Sequence, residues 1–157
     1  MVGTDTSAPG APGPRQVIEH IMAQSPVMRW LDVEIIDVEP GYTRMAIVVR
    51  ADIGNIHGSC HGGLIFTLAD IAFGMAAQAG NDRAVSASAE IQFLSPAPVG
   101  SRLLAEAREV WRRGKNGIYD VTLSTETGET VALVRGRMRF IGGQHMPATG
   151  GPCVTEP

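Results

Sequence analysis

At 157 residues, 44% of them hydrophobic and 18% charged, the chain has the size and composition of one globular domain with a single core. A formal net charge of −3 supplies no field that would draw in nucleic acid or an anionic membrane surface, which excludes both as partners. The two cysteines, Cys60 and Cys153, lie far apart. No disulfide framework suggests itself, the N-terminal stretch lacks the pattern of a secretory signal, and a cytoplasmic location is expected.

In chain order, residues 1–14 are rich in Gly, Ala, Pro and Thr and read as a disordered tail. Residues 142–157 read as a flexible one, because Gly and Pro recur too often for regular structure. The domain is expected over residues 15–141. From Gln16 to Trp30, the near-helical spacing of Val17, Ile18, Ile21, Met22 and Val27 predicts a short amphipathic helix ended around Ser25-Pro26. The period then shortens. Val33, Ile35 and Ile36, followed across the turn signal Glu39-Pro40-Gly41 by Tyr42, Met45, Ile47 and Val49, predict a β-hairpin. A loop over 51–61 leads into an apolar helix, Gly62–Ala77, and four β-like stretches follow: Ala84–Phe93, Arg102–Trp111, Gly117–Ser124 and Thr130–Ile141. Their connectors carry the Gly, Pro and Asn residues that turns need. One apolar helix followed by consecutive strands implies an α+β domain in which an antiparallel sheet covers the helix.

Asp70 is the only charged side chain between Asp52 and Asp82. The helix around it is apolar on every side and so must be enclosed, and an unpaired carboxylate there costs several kcal/mol. Such a group makes sense as a reagent, since partly buried acids with displaced pKa values concentrate where protons move or nucleophiles attack. The run approaches the length of a membrane span, but Asp70, Thr67 and Gln78 lie inside it and no Lys/Arg cluster flanks it, which argues against a span.

Gly62 and Gly63 open this helix. A Gly pair lets another group approach the backbone, and the first N–H groups of a helix lack intrahelical partners and sit at its positive end. They can receive a carbonyl oxygen that is becoming an oxyanion; close packing against a strand explains such a pair equally well. Asp70 lies about 12 Å along the axis from Gly62 at 1.5 Å per residue, too far for one small carbonyl to touch both. Either the two features serve different purposes, or an antiparallel second copy brings Asp70 of one chain beside Gly62 of the other, in an isologous dimer with two shared sites. His57, Cys60 and His61 lack a recognised metal-ligand spacing, so no metal is expected, and Cys60 reads as a buried, inert thiol.

The stretch Asn55 to Phe73, with Cys60-His61-Gly62-Gly63 followed by Phe66-x-Leu68-Ala69-Asp70-x-Ala72-Phe73, closely resembles the hot-dog-fold acyl-CoA thioesterases of the phenylacetic-acid-degradation type. The resemblance continues through Val85-Ser86-Ala87-Ser88, Phe93-Leu94-Ser95-Pro96, Gly114-Lys115, Tyr119-Asp120-Val121 and 131–136. It implies a long central helix wrapped by an antiparallel sheet of five to six strands, paired into homodimers and often into dimers of dimers. The implied activity is hydrolysis of an aryl-acetyl-CoA or medium-chain acyl-CoA to the free acid and CoA, in phenylacetate catabolism, with no cofactor because coenzyme A belongs to the substrate.

By the same resemblance Asp70 activates water or attacks the carbonyl, and Gly62 of the opposite subunit polarises that carbonyl. Asn55 holds the thioester or the lytic water, Ser86 steadies water beside the acid, and His61 at the helix mouth joins the catalytic set. Gly63 and Phe73 are expected against the substrate. Arg113, Lys115 and Asn116, with Arg112, offer charge-assisted hydrogen bonds to the CoA phosphates, unless they are an ordinary solvated turn. Gly74 stands where some relatives carry Thr or Ser, which puts more weight on Ser86. An Asp in place of Glu favours the phenylacetyl type over the dihydroxynaphthoyl and 4-hydroxybenzoyl types. Two alternatives stand beside it: a hot-dog enoyl-CoA hydratase or dehydratase, whose relatives use a differently arranged His with an acid, and a non-catalytic acyl-CoA-binding dimer in which Asp70 pairs with a buried partner.

Overall fold

A computed structural model of the chain describes residues 10–148. Helix α1 (Pro14–Gln24) begins with proline at its first position, where no intrahelical N–H is required, and the Gln16 side chain folds back to accept the Gly13 N–H at 2.9 Å. It buries Val17 and Ile18. Ser25 ends it, and the Ser25 hydroxyl caps a second short helix, α2 (Pro26–Trp30), by accepting the Met28 N–H. Ser25-Pro26 thus both terminates one helix and starts the next.

Strands β1 (Glu34–Glu39) and β2 (Tyr42–Val48) form the predicted hairpin, closed by Pro40 and by Gly41 at φ +77°. The long helix α3 (Gly62–Gln78) follows, then β3 (Asp82–Phe93), β4 (Arg102–Arg113), β5 (Asn116–Thr125) and β6 (Thr130–Gln144). The strands form one antiparallel sheet in the order β1-β2-β4-β5-β6-β3, and α3 packs against β2 through β6. Strand β6 shows how the sheet is sided. Val134, Gly136, Met138 and Phe140 are buried, while Leu133, Arg135, Arg137 and Arg139 alternate with them and are exposed, the two-residue period of a sheet covered on one face.

Two contacts seat the helix on the sheet. The buried Thr43 hydroxyl donates to the Ala72 carbonyl at 2.8 Å, and Phe73 packs against Gly136, with ring carbons 2.8 Å from where a Cβ on that glycine would stand. Phe73 is fully buried. The sequence places it against substrate; the structure places it in the core, because a glycine on the facing strand leaves the hole its ring fills.

Regular structure also extends past residue 141. Strand β6 continues through Gly142 and Gly143 to Gln144. Beyond it Asn81 donates from Nδ2 to the Met146 carbonyl and accepts the Met146 N–H, and the His145 ring bonds Gln78 Oε1 at 2.8 Å. These partners are 65 to 67 residues apart in the chain, so local composition carries no trace of them. Burial, reinforced by Arg83 and His20, holds the His145 imidazole below its ordinary value of 6.5. A base whose folded pKa is depressed binds its proton on unfolding, so stability falls as pH drops through 6.5 towards the folded value. Thermal melts taken from about pH 7 down to about pH 5 should show a falling midpoint, and His145→Gln should flatten that part of the profile.

Candidate active site

The loop ahead of α3 is built on Asn55. Its Oδ1 accepts the N–H of His57 at 2.9 Å and of Ser59 at 3.2 Å, an Asx-type turn that Gly58 completes at φ +75°. Its Nδ2 has no acceptor among the described residues. The loop delivers His61 as the cap of α3, where Nδ1 accepts the Gly63 N–H at 3.0 Å and the carbonyl takes the N–H groups of Leu64 and Ile65. Accepting at Nδ1 requires the ring neutral, with its proton on Nε2. His61, expected in the catalytic set, therefore serves as the helix cap. Gly63, expected against the substrate, has its amide occupied. Gly62 keeps an N–H with no acceptor among the described residues, at the positive end of the helix.

Asp70 follows two turns later, and its Oδ1 accepts the Ser86 hydroxyl at 2.7 Å. Ser86 reaches it from β3 beside a bulge: the pairing of β3 with β6 shifts between Ser86 and Ser88, which leaves Ala87 as an extra residue, and bulges of this kind re-aim neighbouring side chains. The sequence expects Ser86 to steady a water; in the structure it holds the carboxylate itself. Met138 Sδ lies 3.7 Å from the same hydroxyl, but one proton goes to one partner and the carboxylate is the stronger acceptor.

Enclosure of Asp70 is less complete than an all-apolar helix predicts. Ile65, Leu68, Ala69 and residues 71–78 are buried, whereas Gly63, Phe66, Thr67 and Asp70 are exposed or half-buried. Their spacing of three and four residues puts them on one face of the first half of α3. The carboxylate stands at the border between the core and an open stripe of helix. Beside it runs β3, one of the two edge strands of the sheet, with most of its residues exposed.

The far end of β3 returns to the helix mouth. There the Phe93 ring rests on Gly62, with ring carbons 3.3 and 3.4 Å from where a Cβ would stand. Sequence reasoning counts Phe93-Leu94-Ser95-Pro96 in the resemblance but gives Phe93 no place in the site, because its contact with Gly62 is made across the fold.

The basic turn between β4 and β5 is a two-residue hairpin, Gly114-Lys115, with Gly114 at φ +56°. Arg113 and Lys115 are exposed and form no ion pair among the described residues. Arg112 is committed elsewhere, 2.8 Å from Asp82 and 3.7 Å above the centre of the Phe140 ring. Asn116 shares a cross-strand row with Arg113, Arg139 and Val85, next to the row of Ser86. Arg139 thus adds a cation that sequence reasoning missed, although the alternation Arg135-x-Arg137-x-Arg139 marks it as outward-facing. Burial pushes the Cys60 thiol up to about 11, so it stays protonated and inert at neutral pH. Cys153 lies outside the described residues. Among those residues no three His, Cys, Asp or Glu side chains converge as metal ligands, and no helix is long and apolar enough to cross a membrane.

Comparison with known proteins agrees with this geometry. Residues 57–132 match the thioesterase superfamily. The chain is 37% identical over 113 residues to the acyl-coenzyme A thioesterase PaaI of Escherichia coli (strain K12), an alignment that covers 72% of this chain and 81% of that protein. The structure superimposes on that of the E. coli PaaI protein from the phenylacetic acid degradation operon with a TM-score of 0.81 at 33% identity, covering 83% of this chain and 95% of the other. It also superimposes on Streptococcus mutans UA159 smu.793, solved bound to acetyl CoA, with a TM-score of 0.69 at 27% identity, covering 71% and 90%. A helix packed on a six-stranded antiparallel sheet, with these matches, is the hot-dog thioesterase fold, and the chain belongs to the thioesterase superfamily. Within it, the chain is an enzyme of the PaaI type, an acyl-CoA thioesterase.

Proposed function

We propose that this enzyme hydrolyses aryl-acetyl-CoA thioesters first and medium-chain acyl-CoA second, in a site completed by a second copy of the chain. The observation that carries this reading is Asp70, half-buried and held at Oδ1 by Ser86 at 2.7 Å, which leaves the other carboxylate oxygen free to act. As a general base, that oxygen takes a proton from water while the hydroxide adds to the thioester carbonyl. The carbonyl oxygen, gaining negative charge, accepts the Gly62 N–H. Collapse of the adduct breaks the C–S bond, and the proton passes from Asp70 to the departing CoA thiolate. Acting as a nucleophile instead, the same carboxylate displaces the CoA thiolate to form a mixed anhydride, which water then opens to the free acid and the Asp70 carboxylate, with a proton from that water passing to the thiolate.

Two features of the single chain support the second copy. The stripe Gly63, Phe66, Thr67 and Asp70 is left partly uncovered, and β3 is a 12-residue edge strand, a template for pairing with another strand. A two-fold axis that pairs the edges brings Asp70 of one chain towards Gly62 of the other, which answers their separation of about 12 Å along α3. Further pairing into a dimer of dimers belongs to the same reading. Asn55 supplies its free Nδ2 to the thioester, and Arg113, Lys115 and Asn116 meet the CoA phosphates. The binding of acetyl CoA by smu.793 supports a CoA-bearing substrate, and the reaction needs no cofactor beyond it. A hydratase on this fold uses a histidine with an acid, and His61 is engaged as the cap of α3.

Thiol release from phenylacetyl-, hexanoyl-, acetyl- and crotonyl-CoA tests the reading. Free thiol is expected from the panel, fastest with phenylacetyl-CoA. Loss of the crotonyl chromophore without thiol, or saturable binding without any thiol, overturns it.

A further inference from the structure

We infer that the Phe93 ring is a wall of the acyl pocket, seated directly on the oxyanion donor Gly62, and that it selects acyl groups carrying a flat ring close to the carbonyl. The inference rests on the thioesterase reading above and names what sets the choice among its substrates. The ring carbons Cζ, Cε1 and Cε2 lie 3.3, 3.4 and 4.0 Å from where a Gly62 Cβ would stand, so it is the tip of the ring that meets the glycine. Phe93 is 55% exposed. Much of its surface is therefore left over after packing within the chain, and it is next to Gly62, whose amide has no acceptor among the described residues.

A carbonyl oxygen that accepts the Gly62 N–H docks on the same residue that the tip of the Phe93 ring touches, which makes that ring a candidate neighbour of the acyl group. Phe66, one turn on from Gly62 along the open stripe, borders the same mouth. Phe73, the other aromatic of α3, is enclosed in the core and takes no part. In the paired site β3 of one copy supplies Ser86 beside its Asp70, and β3 of the other copy supplies Phe93 beside its Gly62. An aromatic wall favours an aryl ligand over an alkyl one of equal area through edge-to-face or offset contacts, about three- to tenfold per pair.

The test compares wild type with Phe93→Leu and Phe93→Tyr, each checked for its thermal midpoint. It measures kcat/KM for phenylacetyl-CoA and hexanoyl-CoA, and calorimetric affinity for hydrolysis-resistant ketone analogues of the same two. The aryl-to-alkyl ratio should fall about three- to tenfold in Phe93→Leu and hold in Phe93→Tyr, in kinetics and affinity alike. An unchanged ratio in Phe93→Leu, or an equal loss on both substrates, overturns the assignment. Absence of thiol release from the wild type defeats the thioesterase reading instead, and the analogue affinities still decide the role of Phe93.

Discussion

Asp70→Asn and Gly62→Pro each lose at least about a hundredfold in kcat, and co-expression of the two inactive chains restores about a quarter of wild-type activity. Asn keeps the shape of Asp and can still accept the Ser86 hydroxyl, but it cannot take a proton from water. General-base contributions run to about 10²–10⁴ in rate. Proline at 62 deletes the N–H where a helix tolerates its loss, at the first helical position. His61 already has φ −62° and ψ 134°, the extended backbone that a residue before proline adopts. Removal of one oxyanion donor costs about 10²–10³ in kcat. Gly62→Ala is the control: it keeps the N–H and adds only a Cβ 3.3 Å from the Phe93 ring, so a much smaller loss there assigns the effect to the donor.

The mixing result follows from symmetry. In a heterodimer one site carries both lesions and the other carries neither, and random pairing makes about half of all dimers heterodimers. Steady-state thiol release and sedimentation of the co-expressed sample check this together. Dimers that remain inactive put Asp70 and Gly62 of the same chain in one site, or one of them outside the chemistry.

Gly136→Ala is the substitution with the largest expected effect on stability. The new methyl would lie 2.8 Å from three carbons of the Phe73 ring, and Phe73, fully buried, has no free end to swing aside. Overpacking of this kind costs about 1–3 kcal/mol, occasionally more, so the urea midpoint should fall with little change in slope. Phe73→Leu in the same chain vacates the ring volume and should recover part of the loss. The two changes are expected to couple by about 0.5–3 kcal/mol in a double-mutant cycle. Strict additivity would mean that helix and strand do not press on each other there.

The elements and the acid were legible in the sequence for the same reason. Helix and strand periods, turn residues and the contrast of one carboxylate against an apolar run are all set by residues within a few positions of each other. The α+β order, the hairpin at Pro40-Gly41, the start of α3 at Gly62 and the singularity of Asp70 came from such local signals. Two aromatic residues show where that information stops. Phe73 and Phe93 look alike as apolar rings in regular elements, yet one fills a hole made by Gly136 on another strand, and the other tops Gly62 at the mouth of the helix.

The remaining differences have the same origin. Asp82 draws Arg112 away from the basic turn, cross-strand register adds Arg139 to it, and Asn81 ties Met146 into the fold. Ser86 finds Asp70 across 16 residues because a bulge turns it there. The sequence by itself determined which segments are helix or strand, and it singled out Asp70 as the lone carboxylate of an apolar run, since short-range sterics and hydrophobic periodicity decide both. Which amide stays free, which ring borders it and what holds the acid depend on atoms that only packing brings within 4 Å, and the tertiary structure alone decided those.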